Sequence, residues 1–334
     1  MRRRSVIACY TNSTCYFIDS SQAVWTAAVY EEENQVQERF IPKLAPSYTN
    51  FVQVACGSQF AVFLRNDGQV FGYGDNKFGQ LSGGETGTYL ELVRVYGFSN
   101  IKKIAAGYSG HTLGLDDEGI LWGCGHNDYS QLSKGYARQF SPIVVPGFPQ
   151  LQDICAGRIS SLGLDYDGNI WFCGQNPQVT KCFALQSSYS GTETTKLPLE
   201  QPFSMLACCG LNQSVMFSDG DSVWKCSETG LVKYEFESGV KQIFIGICEA
   251  VLDNANVLWL PGTKKFRKLK NPPWEAAEDL YATPQYIMVK DANDRLYVMR
   301  GSYRAVPIAL PELNFELLKS FSEQEKNMKS ARKT

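Results

Sequence analysis

The sequence predicts an all-β fold in which seven copies of one short unit close into a ring of blades. The unit is clearest at 54–81 and returns fifty residues later at 104–132. In both copies, two short apolar strands flank a turn rich in Asp, Asn or Gly, residues that tolerate the backbone of a tight hairpin. No helical pattern separates the copies. A ring of blades would bury the apolar faces and strand edges that a single unit leaves exposed.

Composition is that of a packed, repetitive domain of 334 residues. Hydrophobic residues make up 44% of the chain and aromatic residues 13%, which is enough for a sizeable core. The net charge is −2, from 32 basic and 34 acidic residues, and this balance argues against a nucleic-acid-binding surface spread over the molecule. We therefore expect contact with nucleic acid or chromatin only through the short basic termini.

Membrane insertion and secretion are not expected. The sequence has no run of eighteen apolar residues, so it contains no candidate membrane span. The polar stretch 11–14 interrupts the apolar residues that follow the basic start, which argues against a signal peptide.

The first four units follow the chain in order. We place them at 1–50, 51–100, 101–150 and 151–204. The second and third are the most alike, and Gly107 lies fifty residues after Gly57. The fourth lacks the Gly-Gln-Leu element that closes the second. It carries instead a polar Ser/Thr stretch at 187–195, which we expect to form a long, mobile loop.

The last three units are shorter and less regular. We place them at 205–239, 240–279 and 280–312. The tail, 313–334, has a different pattern, because Leu313, Leu317 and Phe321 fall on one helical face and the end is basic. We predict a short C-terminal helix packed on the ring, with a partner-binding tail as the alternative.

The eleven cysteines follow the repeat and not a disulfide pattern. Cys124 and Cys173 each stand two residues after a tryptophan, and Cys226 stands two residues after Trp224. A free cysteine packs as a small apolar residue. An odd count without paired spacings argues against a disulfide framework. We therefore predict reduced, core-forming cysteines and a cytoplasmic or nuclear location, with disulfides as the less favoured alternative.

Five short elements recur in the two clearest copies. In the second unit they are Gly57, 60–64, Asp67-Gly68, Phe71-Gly72-Tyr73-Gly74 and Gly79-Gln80-Leu81. In the third unit they are Gly107, 111–115, Glu118-Gly119, Trp122-Gly123-Cys124-Gly125 and Ser130-Gln131-Leu132. This pattern resembles the repeat of the regulator of chromosome condensation family. The resemblance implies a seven-bladed β-propeller of four-stranded antiparallel blades, and the count of seven obtained from the turns agrees with it.

The resemblance also implies what the ring could do. The best-known activity of the family is guanine-nucleotide exchange on a small Ras-like GTPase, while other members resemble adaptors, including some tied to ubiquitin ligases. A shared fold does not specify the partner. Most of the seven units lack Gly-Gln-Leu, so this chain could retain the scaffold without the exchange surface.

Residues suited to catalysis or metal binding are scarce. The only histidines are His111 and His126, which excludes a multi-histidine metal site. The pair Gly72 and Gly74 lacks the third glycine and the following helix of a dinucleotide site. We predict no cofactor, no metal and no catalytic residue, so the chain would not be an enzyme. We assign His111 to a hydrogen bond inside its blade, with catalysis as the alternative.

Loops after the third strand of the second and third units form the predicted binding site. Its residues are Asp75, Lys77, Phe78, His126, Asp128 and Tyr129. These positions differ between the copies, whereas the glycines around them are explained by the backbone of a blade. We expect the six residues to be exposed on one face of the ring, where aromatic and polar side chains suit protein binding. An equally weighted alternative is that they are only turn residues.

The predicted function is therefore that of a monomeric, non-enzymatic propeller that binds another protein. Its most specific version is a regulator or exchange factor of a small GTPase. The alternative is an adaptor or scaffold that holds its partner through 175–203 or 310–334.

Overall fold

The computed structural model describes residues 6–309 with short gaps. The gaps are 12–13, 19–21, 23, 33–34, 45–48, 84–85, 134, 136, 186–192, 211–212, 228, 247–248, 263–264, 271, 273, 275, 283–285, 294–295 and 301–306. Most of the predicted loop 187–195 falls in one of these gaps. The predicted helix 313–334 and the basic termini lie outside the described residues.

Twenty-eight strands in the described residues form seven antiparallel sheets of four. The first sheet contains β1 (Val6–Thr11), β2 (Thr14–Ile18), β3 (Val24–Glu32) and β4 (Gln35–Leu44). The second contains β5 (Phe51–Cys56), β6 (Phe60–Arg65), β7 (Val70–Asp75) and β8 (Thr88–Arg94). The third contains β9 (Ile101–Gly107), β10 (His111–Asp116), β11 (Leu121–Gly125) and β12 (Gln139–Val144).

The fourth sheet contains β13 (Leu151–Ala156), β14 (Ile159–Asp165), β15 (Ile170–Gln175) and β16 (Thr195–Lys196), with the helix α1 (Pro177–Cys182) before its last strand. The fifth contains β17 (Met205–Cys208), β18 (Val215–Ser218), β19 (Ser222–Ser227) and β20 (Gly230–Glu235). The sixth contains β21 (Val240–Ile245), β22 (Glu249–Asp253), β23 (Leu258–Pro261) and β24 (Phe266–Lys268). The seventh contains β25 (Ala277–Ala282), β26 (Tyr286–Asp291), β27 (Leu296–Arg300) and β28 (Pro307–Ala309).

The sheets are arranged as blades around a ring. Within each sheet the four strands follow one another in chain order. The first strand of each sheet packs beside the first strand of the next, and β25 packs beside β1, which closes the ring. The predicted all-β propeller fold is confirmed, and the seven described sheets agree with the predicted number of blades.

The core lies between neighbouring blades, because the second strand of a blade is covered on both faces. In β6, Phe60, Val62 and Leu64 pack with Ile101 and Ile104 of the third blade. The alternate residues of β6 pack in a separate apolar cluster on the other face of the sheet. Successive side chains of a strand point to opposite faces, so one continuous apolar strand joins two core layers. Its unbroken apolar sequence follows from this position.

An Asp–Trp hydrogen bond fixes the hairpin between the second and third strands of several blades. The indole N–H of Trp122 donates to Asp116 Oδ2 at 2.8 Å, and that of Trp171 donates to Asp165 Oδ2 at 2.9 Å. Burial raises the pKa of Asp165, but hydrogen bonds from Trp171 and Asn169 outweigh it and leave the pKa below its usual value. These carboxylates therefore have a structural role and stabilise the hairpin turn.

Candidate protein-binding face

In a blade, the loop after the first strand and the loop after the third strand lie at the same end of the strands, which we call the edge of the blade. Because neighbouring strands are antiparallel, the first and third strands of a blade end at one edge, where the second begins. In the second blade this edge carries the turn 57–59 and the loop 76–87. The predicted site therefore lies beside the turns between the first and second strands.

Asn76 anchors the loop after β7 from inside. Its side chain is fully buried, and its Oδ1 accepts a hydrogen bond from the Leu81 backbone N–H at 2.8 Å. Its Nδ2 donates to the Ser82 carbonyl at 3.1 Å. Leu81 fills the space over Gly72, where an added Cβ would lie 2.5 Å from the leucine. The closing leucine of the motif is thus a core residue that tethers the loop.

Gln80 shapes the surface of the same loop. Its Oε1 accepts from the Phe78 backbone N–H at 2.9 Å, and its Nε2 donates to Asp75 Oδ2 at 3.0 Å. One buried amide therefore fixes the positions of two predicted site residues. Gln80, Asn76 and Leu81 thus form an internal frame that holds the loop in place.

The third blade repeats this frame with different surface residues. Asn127 Oδ1 accepts from the Leu132 N–H at 2.8 Å, and its Nδ2 donates to the Ser133 carbonyl at 3.3 Å and also to the Gly135 carbonyl at 3.0 Å. Gln131 Oε1 accepts from the Tyr129 N–H at 3.0 Å. Three of the four frame bonds are the same as in the second blade, and the fourth now ends on a histidine.

The hydrogen bonds of His126 determine its tautomer. The Tyr129 N–H can only donate, so the oxygen of the Gln131 amide faces Tyr129 and its NH₂ group faces the imidazole. His126 Nδ1 lies 3.0 Å from that NH₂ group and must accept, which leaves the proton on Nε2. Nε2 lies 3.1 Å from the carboxylate of Asp128, which it meets as a donor. The ring is thus oriented from both sides.

The predicted exposure of the site is wrong for His126, which is only 7% exposed. Phe78 of the second blade covers it, with ring centroids 4.6 Å apart. Tyr129 lies edge-on to the same imidazole at 5.7 Å and is 40% exposed. The burial arises because a side chain of the neighbouring blade lies on the histidine.

Cations surround Phe78 at the junction of the second and third blades. The guanidinium carbon of Arg138 lies 4.8 Å from the Phe78 centroid, and Lys77 Nζ lies 5.8 Å from it. Arg138 also approaches Asp128 at 3.4 Å. The structure thus brings all six predicted site residues to one junction and adds Arg138, which sequence analysis missed.

A pocket of about 520 Å³ opens beside this junction. Five of the six predicted residues line it, and Asp128 does not. It extends across the second to fifth blades, and residues missed from the sequence include Ser58, Tyr108, Arg158, Gln175, Pro177 and Gln213. Most of these lie in the turns between first and second strands. Antiparallel strand order places those turns at the same edge, and this signal could have identified them.

Hydrogen bonds connect each of these loops to the next blade. The Gln80 carbonyl accepts from the Thr112 hydroxyl at 2.6 Å, and the Gln131 carbonyl accepts from the Ser161 hydroxyl at 2.6 Å. Both donors are buried in the second strand of the following blade. The glutamine thus orders its own loop with its side chain and bonds the neighbouring blade with its main chain.

Two predicted core cysteines contact the same carbonyls. The thiol of Cys124 lies 3.5 Å from the Gln80 carbonyl, and that of Cys173 lies 3.2 Å from the Gln131 carbonyl. Burial raises the pKa of Cys124 well above the usual value and that of Cys173 to about 12. Both thiols therefore remain protonated and unreactive at neutral pH.

His111 joins two blades, so the prediction of a hydrogen bond inside one blade is wrong. The Ser161 hydroxyl donates to the Gln131 carbonyl, so its oxygen accepts from His111 Nε2, 3.3 Å away in the preceding blade. His111 is fully buried. Burial, and then the neighbouring His126, lower its pKa to about 3. This neutral imidazole has a structural role between blades.

The described residues contain neither a metal-binding cluster nor a membrane-spanning helix. No group of three or more His, Cys, Asp and Glu side chains in this part of the chain could hold a metal ion. In the same part, no helix is long and apolar enough to cross a membrane.

The sequence matches known proteins chiefly in its two clearest units. The model of the regulator of chromosome condensation (RCC1) repeat matches residues 51–80 and 101–131. The regulator of chromosome condensation of Xenopus laevis is 28% identical over 113 residues, which are 32% of this chain and 27% of that protein. The ultraviolet-B receptor UVR8 of Arabidopsis thaliana is 31% identical over 122 residues, 35% of this chain and 27% of the receptor. The match thus spans about a quarter of each relative.

Solved structures share the fold over nearly the whole chain. Human WBSCR16 superposes with a TM-score of 0.68 at 17% identity, covering 86% of this chain and 87% of that one. Prp20p from Saccharomyces cerevisiae, described with its binding properties to Gsp1p and histones, superposes with a TM-score of 0.67 at 14% identity, covering 95% and 85%. At these identities the likeness concerns the fold alone. This chain thus carries two matched RCC1 repeats and shares the β-propeller fold of these structures.

Proposed function

We propose that this propeller binds a protein partner through its loop face, which is the set of loops that line the pocket in the second to fifth blades. The observation that carries the proposal is the pocket of about 520 Å³, which collects the variable loop residues of four blades. The frame residues Asn76, Gln80, Asn127 and Gln131 are buried and fixed. The variable residues between them are the ones available to a partner.

The chemistry of the face suits a protein surface. Phe78 and Tyr129 offer aromatic anchors held by His126, and such residues dominate the energy of protein interfaces. Lys77 and Arg158 are exposed at the pocket. A partner with an apolar contact residue flanked by carboxylates would fit this arrangement, and the basic groups would speed its association.

A small GTPase is the most specific candidate partner. The regulators of chromosome condensation among the relatives, and the binding of Prp20p to Gsp1p, support this candidate by analogy. Nucleotide exchange needs no covalent chemistry. An exchange factor has only to bind the nucleotide-free GTPase more tightly than the loaded one, which shifts the equilibrium between the two states. A rigid, preorganised face is suited to that task.

The test measures release of a fluorescent guanine nucleotide from a panel of purified small GTPases. We expect the chain to accelerate release from one of them. The triple variant Lys77→Ala, Phe78→Ala, Tyr129→Ala should lose at least tenfold in that rate, since hot-spot truncation costs about 2 kcal/mol or more.

Tyr166→Ala is the matched control. This tyrosine is 60% exposed and lies in the turn between β14 and β15, at the opposite edge of its blade. Its variant should match the wild type. Equal losses in both variants would contradict the loop face, and no acceleration with any GTPase would contradict exchange.

An adaptor function is the second candidate. The Asn176 side chain caps α1 and also donates to the Gln213 carbonyl at 3.0 Å, so the beginning of 175–203 is fixed at the same face. A partner captured by the wild type but not by the triple variant, without any nucleotide release, would support an adaptor. We also propose a nuclear or cytoplasmic location, which fluorescence microscopy of the tagged full chain would test.

A further inference from the structure

Four cysteines meet in the apolar cluster between the fourth and fifth blades. They are Cys155, Cys182, Cys208 and Cys226. Cys155 and Cys182 belong to the fourth blade, in β13 and at the end of α1. Cys208 and Cys226 belong to β17 and β19 of the fifth blade. Each blade thus contributes two thiols to one interface.

The thiols are paired across this interface. Cys182 shares a hydrogen bond with Cys226, and Cys155 shares one with Cys208. The first pair lies where α1 packs on β19. A disulfide requires the two sulfur atoms to approach each other, and a hydrogen bond between two thiols already brings the sulfurs near each other.

The Cys182–Cys226 pair differs from the other buried cysteines in reactivity. The hydrogen bond from Cys226 lowers the pKa of Cys182 to about 7, and Cys182 is only half-buried. A thiolate is the nucleophile in thiol oxidation, so a group with this pKa and exposure reacts readily. Burial instead raises the pKa of Cys208 well above its usual value. The hydrogen bond with Cys182 and burial also raise the pKa of Cys226, so Cys182 is the thiol that reacts first.

We propose that Cys182 and Cys226 are a peroxide-sensitive modification site that forms a disulfide between the fourth and fifth blades. The Cys182 thiolate attacks one oxygen of hydrogen peroxide, the O–O bond breaks, and the released hydroxide takes a proton to become water. The product is a sulfenic acid on Cys182. The Cys226 sulfur then attacks the Cys182 sulfur, the S–O bond breaks, and the departing hydroxide takes the Cys226 proton. Two thiols and one peroxide yield one disulfide and two waters.

The site is placed where it would affect the loop face. Cys182 ends α1, and Pro177 at the start of that helix lines the pocket. A disulfide would fix the helix to β19 covalently. Transient disulfides of this kind are typical of redox-sensing proteins in reducing compartments. The inference does not depend on the identity of the partner or on exchange activity.

Mass spectrometry of the full chain treated with hydrogen peroxide tests the inference. One equivalent of peroxide should produce a cross-linked peptide pair containing Cys182 and Cys226, two hydrogen masses lighter than the separate peptides, and dithiothreitol should reverse it. The initial rate should rise about tenfold from pH 6 to pH 8, as the thiolate fraction of a group with a pKa of about 7 does.

Variants separate the two thiols. Cys226→Ser should leave Cys182 as a sulfenic acid that dimedone traps, whereas Cys173→Ser, at another buried cysteine, should leave the cross-link unchanged. Oxidation of Cys182 no faster than that of Cys173 in the wild type would overturn the proposal. So would a wild-type disulfide that joins Cys182 to a different cysteine. Both of these measurements use the wild-type chain and do not depend on a variant's folding.

Discussion

The second and third blades have the same internal frame and present different surfaces. Asn76 and Gln80 make the same bonds in one loop that Asn127 and Gln131 make in the other. The glutamine side chain ends on a carboxylate in the second blade and on an imidazole in the third. The buried asparagine and glutamine therefore build the blade, whereas the surface residues that they hold are free to vary.

The fourth blade shows what happens when half of the frame is lost. Asn176 is retained, but no Gly-Gln-Leu follows it in the sequence. Its Oδ1 instead accepts from the backbone N–H groups of Gln178 and Val179, which makes it the N-cap of α1. The asparagine alone therefore sets the start of the loop, and the glutamine and leucine set its return to the blade.

The largest effect is expected for the leucine that closes the frame. Leu81 and Leu132 are both fully buried, each against a glycine of its own blade. Leu81→Ala and Leu132→Ala should each lower the free energy of unfolding by about 4 kcal/mol, measured by urea denaturation. Leu90→Ala, at a leucine that is 76% exposed, is the control and should change little. Clearly unequal losses at the two buried leucines would show that the frames are not equivalent.

The asparagine should have the next largest effect. Asn127→Ala would remove the acceptor of the Leu132 N–H and the donor to the Gly135 carbonyl, in a site closed to water. We expect a loss of about 3 kcal/mol in the free energy of unfolding, and a similar loss for Asn76→Ala. Asn127→Asp keeps the acceptor but places a buried carboxylate oxygen against the Gly135 carbonyl, so it should lose at least as much at neutral pH. A clearly smaller loss than that of the alanine variant would show that the donor bonds contribute little.

His111→Phe tests a difference between the blades, since Phe60 holds the equivalent position over Gly57 in the second blade. The pKa of His111 is about 3 in the folded protein and 6.5 in the unfolded chain. Between these values only the unfolded state binds the proton, so stability falls as the pH falls below 6.5. From pH 7 to pH 5 the wild type should lose about 2 kcal/mol more than the variant in urea unfolding. Parallel pH profiles would contradict this account.

The smallest effect concerns the surface of the junction. Arg138 lies over Phe78 and near Asp128, but it is exposed. Arg138→Gln should lower the free energy of unfolding by less than about 1 kcal/mol, because water screens exposed ion pairs and cation–π contacts. Thermal unfolding would measure it against Arg138→Lys, which keeps the charge. A larger loss would make Arg138 part of the frame.

Much of the fold could be predicted from the repeat. The fifty-residue spacing of Gly57 and Gly107, and the recurring turns, are local signals that survive without knowledge of the ring. They predicted the all-β propeller, and the resemblance to a family repeat supplied the four-stranded blade. The same alignment brought Phe78 and Tyr129 to equivalent loops, which is why the predicted site residues cluster.

What the sequence could not show depends on contacts between blades. His126 is buried because Phe78, forty-eight residues earlier, lies on it. The partner of His111 is Ser161, fifty residues later. Arg158 faces the pocket from a turn in another blade. No pattern within a single unit encodes these contacts, since they arise only when neighbouring blades pack together.

The dual role of Gln80 links binding to the mechanical integrity of the ring. Its side chain holds Phe78 in place, and its carbonyl accepts the Thr112 hydroxyl of the following blade. Any partner that favours the ordered loop must, by linkage, also favour the junction between the second and third blades. Occupancy of the face would then slow amide hydrogen exchange in β10, a strand that lies behind the partner's footprint. The protection would spread forward along the chain, because each such bond runs from one blade to the next.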